Sequence, residues 1–421
     1  MKIKHILPFL AIALIGCKND TQNKETNNEE VAEEALLRKA DSLAHAFIIT
    51  DGHVDLPYRL KSERIDLINL ENGSTVIDAG IGDFDLERAR KGGLDAPFMS
   101  VYIPSELQKT GGAKALADSL IDLVQSITTT YPEHFALANS PAEVEKNFKA
   151  GKISLPMGME NGAPIEGDLK NVEYFFKRGI RYITLTHATD NEITDASYDT
   201  TATHGGLSAF GRKVVEEMNR VGIMVDVSHI SNNAFHDVME VTKVPVIASH
   251  SSAEKFTPGF ERNMSDELIT ALGKNGGVIQ INFGSDFLDS SSQESGNRIN
   301  EKLKSELEKQ GLTENDPAAK DFIEQFRKEN PYKFSNVAKV ADHIDHVVQL
   351  IGIDHVGLGS DYDGVGDSLP EGLKNVSHFP NLIAELLRRG YSDEDIEKIC
   401  YQNVFRVWNA VLDYAKTASP Q

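Results

Sequence analysis

The residues of this sequence best suited to chemistry are histidines and carboxylates that could hold divalent metal ions. His53 and Asp55 are two apart, so along an extended strand end both side chains point to one side. Glu160, His229 and His250 add a second carboxylate and two more imidazoles. Imidazole nitrogen paired with carboxylate oxygen suits zinc or a similar divalent ion. One ion cannot use three histidines and two carboxylates and still keep a position open for water. The set fits two ions a few ångströms apart, bridged by a carboxylate. Glu160 is the expected bridge, since Gly158 and Gly162 flank it and would let the backbone crowd the metals. Such a pair of ions acidifies a shared water and polarises a carbonyl. His187 and Asp361 complete the series of ionisable residues, because they recur at the same structural position.

That position is the end of a strand. Short apolar runs lie at 46–50, 96–103, 153–159, 182–186, 223–227, 245–248, 277–282 and 355–359. Their lengths and β-branched content suit buried parallel strands. Helical patterns at 169–178, 211–221, 265–274 and 337–351 separate them. Eight strands alternating with helices predict an α/β fold of the (β/α)8 TIM-barrel type. His53 and Asp55 follow the first run, Glu160 the third, His187 the fourth, His229 the fifth, His250 the sixth and Asp361 the eighth. In a parallel barrel these ends open on one face, where barrel enzymes place their sites. His134, His204, His236, His343 and His378 fall in helices or loops, and His346 and His355 lie on the wrong side of the last strand. None of these is assigned to the site. Residues 105–145 are expected to be mostly helical. The stretch 290–336 is expected to be an inserted helical excursion with a solvated, charge-rich face.

The N-terminus reads as a targeting segment. Lys2 and Lys4 precede an apolar run from Ile6 to Ile15, too short for an ordinary transmembrane helix. The sequence Leu14-Ile15-Gly16-Cys17 resembles the bacterial lipobox, so 1–16 is expected to be removed and Cys17 to carry lipid. Residues 17–34, polar and acidic, are expected to form a flexible tether. The metallohydrolase domain is then 35–415, anchored to a membrane in the cell envelope without spanning it; Lys18 suits outer-membrane sorting. With Cys17 lipidated only Cys400 remains, which excludes an internal disulfide and a cysteine zinc site. A net charge of −21 argues against a nucleic-acid partner.

Seven motifs, in order along about 48–408, resemble the membrane (renal-type) dipeptidase family of the amidohydrolase superfamily. They are Asp51-Gly52-His53-Val54-Asp55-Leu56-Pro57, Gly158-Met159-Glu160-Asn161-Gly162, Arg181-Tyr182-Ile183-Thr184-Leu185-Thr186-His187 and Asp226-Val227-Ser228-His229. The rest are Pro245-Val246-Ile247-Ala248-Ser249-His250-Ser251, Arg262-Asn263-Met264-Ser265-Asp266 and Gly359-Ser360-Asp361-Tyr362-Asp363-Gly364. The resemblance implies a (β/α)8 barrel with two Zn2+ ions, His53 and Asp55 on the first, His229 and His250 on the second, and Glu160 bridging. It implies that His187 stabilises charge on the scissile carbonyl oxygen, that Arg262 binds the substrate's terminal carboxylate, and that Asp361 is the acid/base group. It also implies hydrolysis of free dipeptides, tolerance of a D-residue at the C-terminal position, and a homodimer. Two positions depart from the family pattern, Val54 and Asn161. Neither type binds metal here, so the expected consequence is an altered pocket wall. The rival readings are another amide or lactam hydrolase on the same centre and a non-catalytic peptide-binding surface lipoprotein.

Overall fold

The structure, a computed structural model, describes residues 19–63, 76–78, 80–313 and 316–418. The expected signal peptide and Cys17 lie outside these residues. Ten strands form among them: β1 (Ile49–Val54), β2 (Leu94–Tyr102), β3 (Phe135–Leu137), β4 (Ile153–Leu155), β5 (Met157–Glu160), β6 (Ile180–Thr184), β7 (Met224–Asp226), β8 (Ile247–Ser251), β9 (Val278–Ile281) and β10 (Val356–Leu358). Eight make one parallel sheet in the order β1-β2-β5-β6-β7-β8-β9-β10, with helices between them. The segment after β10 brings the sheet round to β1. Asp361 N donates to His53 O at 3.1 Å and Asp55 N to Tyr362 O at 2.9 Å. This is the expected TIM-type barrel.

Several strand boundaries differ from expectation. The first strand starts later and runs through Asp51 and Val54, which pair with Pro97 and Met99 of β2. His53 is therefore inside the strand, not beyond it. The run 153–159 is broken at Pro156, which has no N–H for the ladder. Its first half, β4, pairs with β3 outside the barrel, and only β5 is a barrel strand. The strand β3 also interrupts the region 105–145, otherwise helical over Leu107–Thr110, Ala113–Thr130 and Pro141–Lys149.

The expected tether is not a loop in this structure. A helix spans Asn19–Ala46, so it takes in all but the first residues of the 17–34 segment. Glu, Ala, Leu and Lys favour a helix once its C-terminal half is docked. That half buries Ala40 and Ala44 in the main core, and Arg388 pairs with Glu33. The barrel's lower end is closed by the helix Asn403–Ala418, whose Trp408 ring lies 5.2 Å from that of Phe98. The 290–336 excursion is helical over Ser290–Lys309 and Lys320–Glu329, with a small core of its own around Leu303, Leu307 and Phe326.

Candidate metal centre

The strand order brings the expected ligands together on the C-terminal face. His53 and His250 are the penultimate residues of β1 and β8, and Glu160 ends β5. Asp55 follows β1 directly, while His229 and Asp361 lie three residues past β7 and β10. Glu160 stands at the middle. Its Oε2 is 3.3 Å from His53 Nε2, and its Oε1 is 3.0 Å from His229 Nε2 and 3.3 Å from His250 Nε2. Asp55 Oδ2 lies 3.3 Å from His53 Nε2 on the Oε2 side. The ligand-type atoms of His53, Glu160 and His250, of Glu160, His187 and His229, and of His53, Asp55 and Asp361 each fall within 4.8 Å of one another.

These residues fit a divalent metal. His53 Nε2 and Asp55 Oδ1 are buried without any hydrogen-bond partner, a cost a protein retains where a ligand satisfies the group. Second contacts orient the rings. His53 Nδ1 lies 2.8 Å from the Tyr182 hydroxyl, which donates to Gly52 O at 3.0 Å. His250 Nδ1 lies 2.7 Å from Ser249 Oγ, which donates to Asp226 Oδ2 at 2.6 Å. Because each hydroxyl spends its proton elsewhere, it accepts from the imidazole Nδ1–H. The Nε2 lone pairs are left facing Glu160, as a metal ligand requires. Sequence reasoning missed Tyr182, Ser249 and Asp226, although all three lie inside quoted motifs. Their signal was an OH-bearing or acidic residue within a buried barrel strand.

Electrostatics keep His229 and His250 neutral and leave His53 as the cationic ring. Burial, then the Arg262 and His187 charges, holds His229 well below the usual histidine range. Burial, then the His53 and Arg262 charges, does the same for His250. Burial disfavours the charge on Glu160, but His53 and His187, with the His229 and His250 rings beside them, outweigh it and hold the carboxyl well below its usual range. His53 is raised well above its usual value: burial opposes this, and Tyr182, Glu160 and Asp55 prevail. That is a cationic position between two carboxylates, one that a metal ion can take in place of a proton. Asp361 is pushed up to about 7 by burial and by Asp55 and Glu160, against His53 and an Asn282 hydrogen bond of 2.8 Å.

The glycines and the two departures act differently from expectation. A Cβ at Gly158 would fall 1.9 Å from the Tyr182 ring, so this glycine makes room for the tyrosine that holds His53. Gly162 makes room for Ile193 and Leu185. The glycine that crowds the centre is Gly364, whose Cβ would lie 2.2 Å from both Asp361 Oδ1 and Asp55 Oδ2. Val54 and Asn161 do not form the cavity wall. Val54 is packed in the core, on the opposite side of β1 from His53. Asn161 has φ 80° and holds loops together through Ile103 O, Gln108 and Asn191. Asparagine tolerates that left-handed conformation where most side chains do not. His229 and Asp361 also have positive φ, 70° and 64°, strain that concentrates at functional sites.

A cavity of about 890 Å³ opens over the centre, lined by Asp55, Glu160, His187, His229 and Asp361 and by Tyr58, Tyr102, Tyr198 and Phe287. His187 packs edge-on against Tyr102, with Nε2 3.6 Å from Glu160 Oε1. Its side chain is 22% exposed against 6% for His229 and 1% for His250, so it is the imidazole most open to a substrate. Arg262 is buried beneath: Nη1 donates to Ser251 Oγ at 2.9 Å, and Nη2 lies 2.8 Å from His250 O and 3.0 Å from His229 Nε2. The excluded histidines stay outside. His343 bonds Ala253 N and Leu288 O, His346 bonds Asp266 and His355 bonds Gly277 O.

The sequence profile of membrane dipeptidases (peptidase family M19) matches residues 37–421. Dipeptidase verJ of Clonostachys rogersoniana is 34% identical over 387 residues, 89% of this chain and 87% of that one. The probable dipeptidase PvdM from Pseudomonas aeruginosa superposes with a TM-score of 0.76 at 26% identity, over 91% of this chain and 100% of that one. A metallo peptidase from Rhodobacter sphaeroides, liganded with a phosphinate mimic of the dipeptide L-Ala-D-Ala, has the same fold (TM-score 0.69, 23% identity, 87% of this chain and 99% of that one). With a barrel of this topology and imidazoles and carboxylates converging on its open face, the chain belongs to the membrane dipeptidase family, peptidase family M19, and is a dipeptidase.

Proposed function

We propose that this dipeptidase works with two zinc ions bridged by Glu160, one held by His53 and Asp55 and the other by His229 and His250. The observation that carries this reading is that the two oxygens of Glu160 face different imidazoles, Oε2 towards His53 and Oε1 towards His229 and His250. When bound, the ions would supply an acidified water and Lewis-acid polarisation of the scissile carbonyl. Asp361, with one oxygen fixed by Asn282, takes the proton of the attacking water and returns it to the leaving amine. His187 stabilises charge on the carbonyl oxygen, and Arg262 attracts the substrate's C-terminal carboxylate. Neutral His229 and His250 and anionic Glu160 keep the protonation states that binding needs.

Tolerance of a D-residue at the C-terminal position is part of the proposal, supported by the L-Ala-D-Ala mimic bound to the Rhodobacter sphaeroides relative. Metal analysis of the purified chain, with turnover of L-Ala-L-Ala and L-Ala-D-Ala, tests both parts. Two zinc equivalents and hydrolysis of both substrates are expected. A single equivalent at full activity would overturn the bridge, and inertness of L-Ala-D-Ala would overturn the stereochemical part.

We also propose attachment to the cell envelope through lipidated Cys17, at the outer membrane, and assembly as a homodimer. The lipobox-like Leu14-Ile15-Gly16-Cys17 supports the first. No helix among the described residues is long and apolar enough to cross a membrane. Incorporation of labelled palmitate that is lost in Cys17→Ser tests the anchor, and the mass of the soluble fragment in solution tests the dimer.

A further inference from the structure

Asp286 is a carboxylate in the wall of the metal cavity that pairs with no cation among the described residues. It lies past β9 in the short helix Ser285–Leu288 and lines the cavity with Phe287 and Tyr198. It is half-buried, and its Oδ1 accepts a hydrogen bond from the Tyr332 hydroxyl. Tyr332 belongs to the 290–336 excursion. So does Gly296, where a Cβ would come 3.3 and 3.4 Å from the two Asp286 oxygens. Two residues of the excursion thus pack against this carboxylate.

Its electrostatic state is incomplete. Burial raises the Asp286 carboxyl above its usual range, and the neutral Tyr332 donor is the group that opposes the rise. Asp363, in the same wall, shows the contrast, since it takes Arg59 Nε at 2.9 Å. A half-buried carboxylate served by one neutral hydroxyl gains most from a cation delivered by a ligand. In the same wall Tyr198 is exposed, and its ring suits the methylene stem and charged head of a basic side chain, while the Phe287 ring already carries the Arg262 guanidinium 5.3 Å from its centroid.

We propose that Asp286 forms a subsite for the cationic side chain of a lysine- or arginine-containing dipeptide. The inference rests on the dipeptidase reading of the cavity and adds a substrate class to it. The excursion then acts as the support that holds the subsite carboxylate in place through Tyr332.

The test compares kcat/KM of the metal-loaded full chain for Lys-Ala and Ala-Lys with that for their norleucine counterparts, which keep the stem and lose the charge. At least one lysine substrate should be preferred by about tenfold to a hundredfold, the scale of a charge-assisted hydrogen bond. In Asp286→Asn that ratio should collapse towards one, while Tyr332→Phe, which keeps the carboxylate, should retain a preference. Equal rates for lysine and norleucine substrates in the natural protein would overturn the proposal. Equal losses on both in Asp286→Asn would overturn it too, because Asp286 would then serve only to anchor the excursion. Inertness towards every dipeptide would instead be a failure of the dipeptidase reading. Calorimetric binding of Lys-Ala against its norleucine counterpart would then still decide the subsite.

Discussion

The Tyr182 hydroxyl lies 2.8 Å from His53 Nδ1 and donates its own proton to the carbonyl of Gly52, the residue before that histidine. One side chain from β6 therefore sets both the tautomer and the backbone position of a ligand on β1. Tyr182→Phe removes that control without changing the ligand set. Metal affinity is expected to fall about tenfold to a hundredfold, the usual effect of deleting an outer partner of a ligand histidine. Ser249→Ala should act alike on His250, by breaking its link to Asp226. Chelator competition measures both, and unchanged affinity in the two variants would remove the positioning role.

Gly364→Ala places a methyl group 2.2 Å from both Asp55 Oδ2 and Asp361 Oδ1. The carboxylates must move by about an ångström, a displacement that can cost roughly a hundredfold in turnover. The residue lies in a loop over the centre and not in the core, so the melting temperature should change little. A variant with normal kcat would show that the loop relaxes freely.

Asp361→Asn should leave metal content intact and lower turnover by roughly a hundredfold or more, the scale of a lost acid/base group. As a base, Asp361 acts ionised, so kcat/KM should rise with pH through its ionisation. Burial, with the Asp55 and Glu160 charges, pushes it up to about 7, and added metal cations lower it, so the acidic limb should lie below pH 7. That limb should vanish in the variant. Near-normal turnover there would sink the assignment.

His343 predicts an acid sensitivity unrelated to catalysis. Its Nδ1 accepts from Ala253 N and its Nε2 donates to Leu288 O, so the buried ring is neutral. Burial, chiefly, pushes it down to about 4. A folded value below the unfolded one means its contribution is complete above about pH 6.5 and is lost as pH falls from there towards 4. The contribution is of order 3 kcal/mol. An NMR titration should find this imidazole silent above pH 5, and a midpoint near 6.5 would contradict the prediction.

The ligand set was legible because chemistry and position coincide in the chain. His53, Glu160, His229 and His250 each sit where an apolar run ends, and a parallel barrel has only one face for such ends. The strand boundaries were less legible. Pro156 splits one run into strands of two different sheets, and periodicity does not reveal which neighbour a short strand will pair with. The helix Asn19–Ala46 was missed at its start because polar composition describes solubility, while docking of Ala40 and Ala44 is a tertiary event.

By itself, then, the sequence determined the barrel class, the metal-binding residue types and the face on which they meet, because these follow from local pattern and strand direction. Only the tertiary structure decided how the residues are tuned. That Gly364 and not Gly158 crowds the carboxylates, that Tyr182 and Ser249 orient the rings, and that Asn161 braces loops away from the cavity wall all depend on distances between distant strands. Such distances are set by packing across the barrel, which no single segment encodes.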